Sequence, residues 1–352
     1  VKAVILVGLT DLCMMLGIGM TAHLAGTLEM DQIRLPMDGM GSAAFILLVV
    51  GALGKAGAMP FHTWIPDAAD DAPMPFMALL PAALEKLLGI YLLMRVCVDL
   101  FTFAPGSPMS TTLMAIGAAT ILFAVMMALI QKDFKRLLSY HAISQVGYMI
   151  LGIGTALPVG VIGGLFHMFN HATYKSCLFY TAGSVERQTG TTNLKAIGGL
   201  GRQMPVTMVT FLIAAASIAG FPLTNGFYSK ELIFDGALES GVVFYLVALI
   251  GAFFTAVSFL KLGHAAFFGK PKQSLRNVKE APLPMLVPMI VLAVLCLVMG
   301  FLRLDIIGGL LQPAVGLAEG AGEVIGAHTN WLLVGISAAV LLLAALSHYT
   351  GL

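Results

Sequence analysis

Apolar segments of about twenty residues recur from one end of this chain to the other, and that recurrence decides the solvent in which it folds. Roughly twenty apolar residues in a helix cross the hydrocarbon core of a bilayer. Ten such segments are readable, at 3–24, 42–60, 77–98, 112–131, 137–157, 159–184, 205–239, 241–269, 284–303 and 330–350. The seventh is too long for one straight helix and carries GFPLTNG in its middle, so it reads as one broken span. Only 11% of residues are charged and the mean hydropathy is +0.93, against about 25% charged in soluble domains. A soluble globular fold is excluded. The expectation is an all-α, polytopic membrane protein of about ten transmembrane helices. The opening VKAVILVGLTDLCMMLGIGM has neither an initiator Met nor a signal-peptide pattern, and reads as the start of a fragment that begins at a span.

Charge sets the orientation. The net charge is +1, with no basic tract suited to nucleic acid. If connections alternate sides, one side receives Lys2, Lys132, Lys135, Arg136, Arg187, Lys195, Arg202, Lys270, Lys272, Arg276 and Lys279. The other receives only Arg34, Arg95 and Arg303. The positive-inside rule makes the first side cytoplasmic. Cys13, Cys97, Cys177 and Cys296 are scattered without a CxxC or Cys/His pattern, so no disulfide, zinc or iron–sulfur framework is readable.

Five lysines fall inside spans: Lys55, Lys86, Lys175, Lys230 and Lys261. At roughly 2.5–3.5 kcal/mol each, they cost on the order of 12–17 kcal/mol on insertion. Snorkelling to the headgroups stays open for Lys261, near a span end, and for Lys230 if the break is displaced. It fits Lys55 and Lys175 poorly. Asp11, Glu85, Glu231, His141, His167, His171 and His264 add titratable groups at membrane depth. His167, His171 and Lys175 are spaced i, i+4, i+8, which makes one polar stripe on a helix. A metal site needs more ligands than this stripe has, and a cationic lysine one turn away opposes a dication. A proton relay accounts for it better, because histidine titrates near neutrality and desolvation can bring a lysine there. Gly and Pro interrupt two spans beside a lysine: GALGKAGAMP around Lys55 and AGFPLTNGFYSKE before Lys230. Such paired breaks point to inverted repeats with an ion site at each.

Four blocks carry a resemblance: GALGKAGAMPFHTWIPDAADDAPMPFMALLPAALEKLLGIYLL, DFKRLLSYHAISQVGYMILGIG, LFHMFNHATYKSCLFYTAGSV and AGFPLTNGFYSKELIF. In this order they resemble the proton-antiporter-like membrane subunits of respiratory complex I, energy-converting hydrogenases and Mrp-type Na+/H+ antiporters. The resemblance implies two inverted five-helix repeats, each with a broken helix. Residues 1–98 would be the last three helices of the first repeat, 99–269 the second repeat and 270–352 C-terminal helices, with the family's N-terminal helices absent from this sequence. It further implies that Lys55 is the proton carrier of the first broken helix, Lys86 a connecting group, His167, His171 and Lys175 the central relay, and Lys230 with Glu231 the distal site near the exit. Asp11 resembles an acid of the first span, and Asp133 with Lys135 reads as structural. The family's glutamate partner of the first lysine would lie upstream, so the carboxylate tuning Lys55 is expected to be missing.

The function implied is a proton-translocating subunit of a complex I-like or related redox complex; the alternative is membership of an Mrp-type multisubunit antiporter. Its partners would be homologous antiporter-like subunits and redox subunits, in the inner membrane of a bacterium or archaeon. No GxGxxG, cysteine cluster or haem motif is present, so no cofactor is expected in this chain, and electron transfer would belong to partner subunits. The rivals from other classes are a stand-alone solute carrier and a purely structural membrane subunit.

Overall fold

The computed structural model describes residues 1–268, 272–317, 324–327 and 331–350. Lys270, counted above among the cytoplasmic cations, lies outside them. The regular structure of the described residues is helical, as a chain without water to satisfy its backbone requires. Six helical stretches are long and apolar enough to cross a membrane: Lys2–Ala25, Gly39–Ala56, Met74–Leu100, Pro108–Ile130, Val242–Phe268 and Leu283–Phe301.

Helix α1 (Lys2–Ala25) lies against α2 (Gly39–Ala56), which is followed by a short α3 (Trp64–Asp71). Helices α4 (Met74–Leu79) and α5 (Glu85–Arg95) run on through a wide π turn at Leu80–Leu84 that contains Pro81. Proline has no N–H for the regular ladder, and the widened turn absorbs that loss. Helices α6 (Pro108–Ile130) and α7 (Phe134–Gly154) pair antiparallel, and α8 (Pro158–Thr189) packs on α4, α5, α7, α9, α10 and α12. The remaining helices are α9 (Pro205–Ala219), α10 (Asn225–Ser240), α11 (Val242–Gly263), α12 (Leu283–Phe301), α13 (Arg303–Ile306), α14 (Gln312–Ala314) and α15 (Trp331–Thr350).

Helices α7 and α8 are long enough but not among these six apolar stretches, yet they are the most enclosed. Every residue of α7 except Arg136 is buried. Their polar residues face other helices instead of lipid, and the apolar helices around them supply the lipid-facing surface. The bilayer thus sees a hydrophobic exterior while ionisable groups sit inside the bundle.

The two interruptions differ in detail. In the seventh segment, α9 stops at Ala219, Gly220 turns in the left-handed region at φ 83°, and α10 starts at Asn225. In the second segment the break is displaced from its expected place. Helix α2 passes through Gly51, Gly54 and Lys55 without interruption and ends only at Gly57, φ 69°. A side-chain carbon on Gly51 would collide with Met14 Cβ, and one on Gly54 with Thr10 Oγ1. Those two glycines serve the close approach of α1 to α2. Gly57, where a left-handed turn is needed, is the one that breaks the helix. Lys55 therefore occupies the last turn of a regular helix, not the break itself.

Candidate proton-relay site

The lysine-bearing helices pack in a row, α2 on α5, α5 on α8 and α8 on α10. That order carries Lys55, Lys86, Lys175 and Lys230 side by side across the bundle. At one end, Lys55 Nζ donates to Asp11 Oδ2 at 2.8 Å, with both side chains about one-third exposed on the flank of α1 and α2. This overturns the expectation that the carboxylate partner of Lys55 is missing: α1 supplies it. If this end of the row carries protons, Asp11→Asn should slow their transfer about threefold to tenfold by leaving the ammonium unpaired, and Asp11→Glu should restore most of the rate. Acidification of sealed vesicles that carry the assembled protein would read both.

Lys86 is 1% exposed and its Nζ donates to the carbonyl of Ala56 at 3.0 Å, at the C-terminal end of α2. Lys230 is seated in the same way: buried, it donates to Ile218 O at 2.7 Å, at the C-terminal end of α9. Each interrupted helix leaves carbonyls without a partner and the negative end of its dipole at membrane depth. A lysine from a following helix answers both. Neither lysine snorkels. Lys261 makes a third such seat, donating to Leu129 O at 2.6 Å at the end of α6, and that position near a span end fits a structural cap.

Lys175 differs from all of these. It is fully buried, its Nζ has no hydrogen-bond partner among the described residues, and it lies 5.8 and 5.9 Å from the ring centroids of Phe179 and Phe259. Cation–π attraction of about 0.5–2 kcal/mol does not replace the hydration of an ammonium. Phe259 also touches His141, at 4.8 Å between ring centroids, and His141 Nε2 is 2.7 Å from Ser258 Oγ.

His167 is the best-connected group. Its Nδ1 is 2.9 Å from Ser229 Oγ, while its Nε2 is 3.2 Å from both Gln145 Oε1 and the Tyr174 hydroxyl. When Nε2 carries a proton it can donate to the amide oxygen; when bare it can accept from the phenol. Ser229 can donate to Nδ1 or accept from it. The ring is hydrogen-bonded in every protonation state, as a group that both takes and gives a proton must be. The ring of Tyr174 lies 5.4 Å from that of His171. Tyr148 lies 5.9 Å from His167, and the Lys230 ammonium sits 5.0 Å above the Tyr148 ring.

The expected residues are thus brought together in part. His167, His171 and Lys230 share one buried aromatic and amide cluster, Lys175 lies one turn from His171 on α8, and Glu231 lines a cavity with Lys230. No direct hydrogen bond joins Lys55, Lys86, Lys175 and Lys230 to one another among the described residues. Sequence reasoning missed Gln145, Ser229, Tyr148, Tyr174 and Ser258. Their one available signal was polarity inside α7, α8, α10 and α11. Asp133, read above as structural with Lys135, caps α7 by accepting from Arg136 N, and Lys135 pairs with Glu186 at 3.0 Å. Among the described residues no three His, Cys, Asp or Glu side chains are close enough to hold a metal.

Known proteins share this architecture. The family model described as NADH:quinone oxidoreductase/Mrp antiporter, transmembrane, matches residues 1–255. The chain is 33% identical over 326 residues to a component of a probable K(+)/H(+) antiporter of Rhizobium meliloti, covering 89% of this chain and 32% of that protein. It is 33% identical over 333 residues to NADH-quinone oxidoreductase subunit N of Desulforudis audaxviator (88% and 66%), and 35% identical over 301 residues to F(420)H(2) dehydrogenase subunit L of Methanosarcina mazei (79% and 44%). The chain therefore spans less than two-thirds of the length of these relatives. A chain of the Mrp complex from a Dietzia species superposes with a TM-score of 0.84 at 27% identity, covering 99% of this chain and 39% of that one. A chain of the membrane-bound sulfane sulfur reductase, an archaeal respiratory membrane complex, superposes at 0.77 and 25% identity (97% and 60%). The sequence match and these superpositions show that the chain belongs to the NADH:quinone oxidoreductase/Mrp antiporter transmembrane family.

Proposed function

We propose that this chain is the proton-translocating, antiporter-like part of a subunit in a multisubunit membrane complex. It would move H+ from Lys55, at the partly exposed end, along the buried groups Lys86, His171/Lys175, His167 and Lys230, with Glu231 at the far end. The observation that carries this reading is the His167 cluster: a fully buried imidazole with a partner for each protonation state, between an unpartnered buried lysine and a lysine seated on a broken helix. Two unit charges about 10 Å apart, the spacing of packed helices, interact by about 1.7 kcal/mol at an effective dielectric of about 20. That exceeds one pKa unit, so charging one lysine biases the next, and a signal can pass along the row without a continuous wire. The interruptions after Ala56 and Ala219 would be where access opens to one side and then the other.

The ten-span topology fits this reading, with α2/α3 and α9/α10 as the interrupted helices of two repeats. Residues 1–98 would close the first repeat, 99–269 form the second and 270–352 follow as C-terminal helices. The Lys/Arg-rich connections would be cytoplasmic, in a prokaryotic inner membrane. The relatives' names include both NADH-quinone oxidoreductase and cation/H(+) antiporter subunits, so the partners would be further membrane subunits and, in the redox case, subunits that carry the electron-transfer cofactors. This chain would supply none. Mass spectrometry of the native assembly, purified in mild detergent, tests the reading. Redox subunits that co-purify would place the protein in a redox-driven pump, and small antiporter subunits alone would make it an Mrp-type exchanger. A lone polypeptide would contradict both.

A further inference from the structure

We infer that proton release to the outer side runs from Lys230 through Glu231 to Asp235, and that Arg303, held on the ring of Tyr228, is the valve of that route. The inference rests on the proton-translocating reading above and adds its exit. Two cavities flank Glu231. One, of about 10 Å³, is lined by Lys230, Glu231, Gly220 and Ser337; the other, of about 50 Å³, by Tyr228, Glu231, Asp235, Arg303 and Val159. A water occupies roughly 10–15 Å³ by this kind of measure, so the first cavity has room for one water and the second for several. Glu231 is common to both and links the lysine to the larger one.

The geometry gives this route a direction. Helix α10 leads away from the break toward Ser240, and α12 ends at Phe301 just before Arg303. Val159, at the start of α8, lines the same cavity. These are the ends that the charge distribution assigns to the outer face. A proton leaving the Lys230 ammonium would make an amine and a carboxylic acid at Glu231, then pass by water to the Asp235 carboxylate and out to solvent. Each step moves one proton and nothing else.

The Arg303 guanidinium carbon lies 4.1 Å from the centroid of the Tyr228 ring, and its Nε is buried without a hydrogen-bond partner among the described residues. A guanidinium keeps its proton at any physiological pH. It cannot relay a proton, but its fixed positive charge at the mouth repels hydronium that would enter from outside. Tyr228 holds that charge in place by cation–π stacking on α10, the helix that carries Lys230.

The test uses the full assembled complex in sealed vesicles with a trapped pH dye. An acid pulse on the outer face reads back-flow, and energised transport reads release. Arg303→Gln should raise back-flow about tenfold, and Asp235→Asn should slow release about tenfold without raising back-flow. Lys230→Arg serves as the reference, since it stops transport if the proton row exists at all. Wild-type back-flow in Arg303→Gln, or wild-type release in Asp235→Asn, overturns the exit route while Lys230→Arg still blocks transport. If Arg303→Gln fails to assemble, the Asp235→Asn rate alone decides. Unimpaired transport in Lys230→Arg would instead overturn the underlying reading.

Discussion

Replacing Lys175 with methionine should make the assembled protein more stable and stop it moving protons. Lys175 is fully buried, without a hydrogen-bond partner among the described residues, and packed against Phe179 and Phe259. Methionine fills nearly the same unbranched volume and carries no charge to desolvate. Exchanging buried ionic groups for hydrophobic ones of similar shape often stabilises by roughly 1–4 kcal/mol, so the thermal midpoint should rise by several degrees. Transport should fall by roughly 10²-fold or more, the scale on which a positioned acid–base group matters. A lysine kept for structure gives the opposite pair of results, lower stability and normal transport. Thermal shift and vesicle acidification on the same preparation separate the two.

The second large effect concerns Lys230. Alanine there would leave the Ile218 carbonyl without its donor, a loss of about 1–3 kcal/mol, so a transport defect could be mistaken for an assembly defect. Arginine avoids that confusion. It can still donate to Ile218 O and still place a cation over Tyr148, but it does not release its proton. Lys230→Arg should therefore assemble normally and lose translocation by roughly 10²-fold or more. A role limited to closing the end of α9 would leave the arginine variant active.

What the sequence could and could not disclose follows from the reach of each signal. The break after Ala219 was legible because Gly220, Pro222 and Gly226 act on the local backbone. The His167, His171 and Lys175 stripe was legible because i, i+4 spacing is a property of one helix. Glycine near Lys55 misled, because close packing on Thr10 and Met14 selects the same residue as a helix break. The pairing of Lys55 with Asp11 spans 44 positions, and no local pattern reports it. The same holds for Lys86 on Ala56 and for His167 with Ser229 and Gln145, where the partners are a backbone carbonyl, a hydroxyl and an amide. Such groups are common in any chain, and only the packing of α7, α8 and α10 makes them a site. The low hydropathy of α7 and α8 points the same way: the helices least suited to lipid are those that other helices enclose.

Buried lysines and histidines that pass protons across this bundle must build a proton gradient. The most direct measurement is ΔpH formation by sealed vesicles that carry the assembled complex, wild type against Lys230→Arg, normalised to the amount of intact complex. Loss of ΔpH formation in the arginine variant, with assembly unchanged, is the expected result. A ΔpH equal to that of wild type would contradict it.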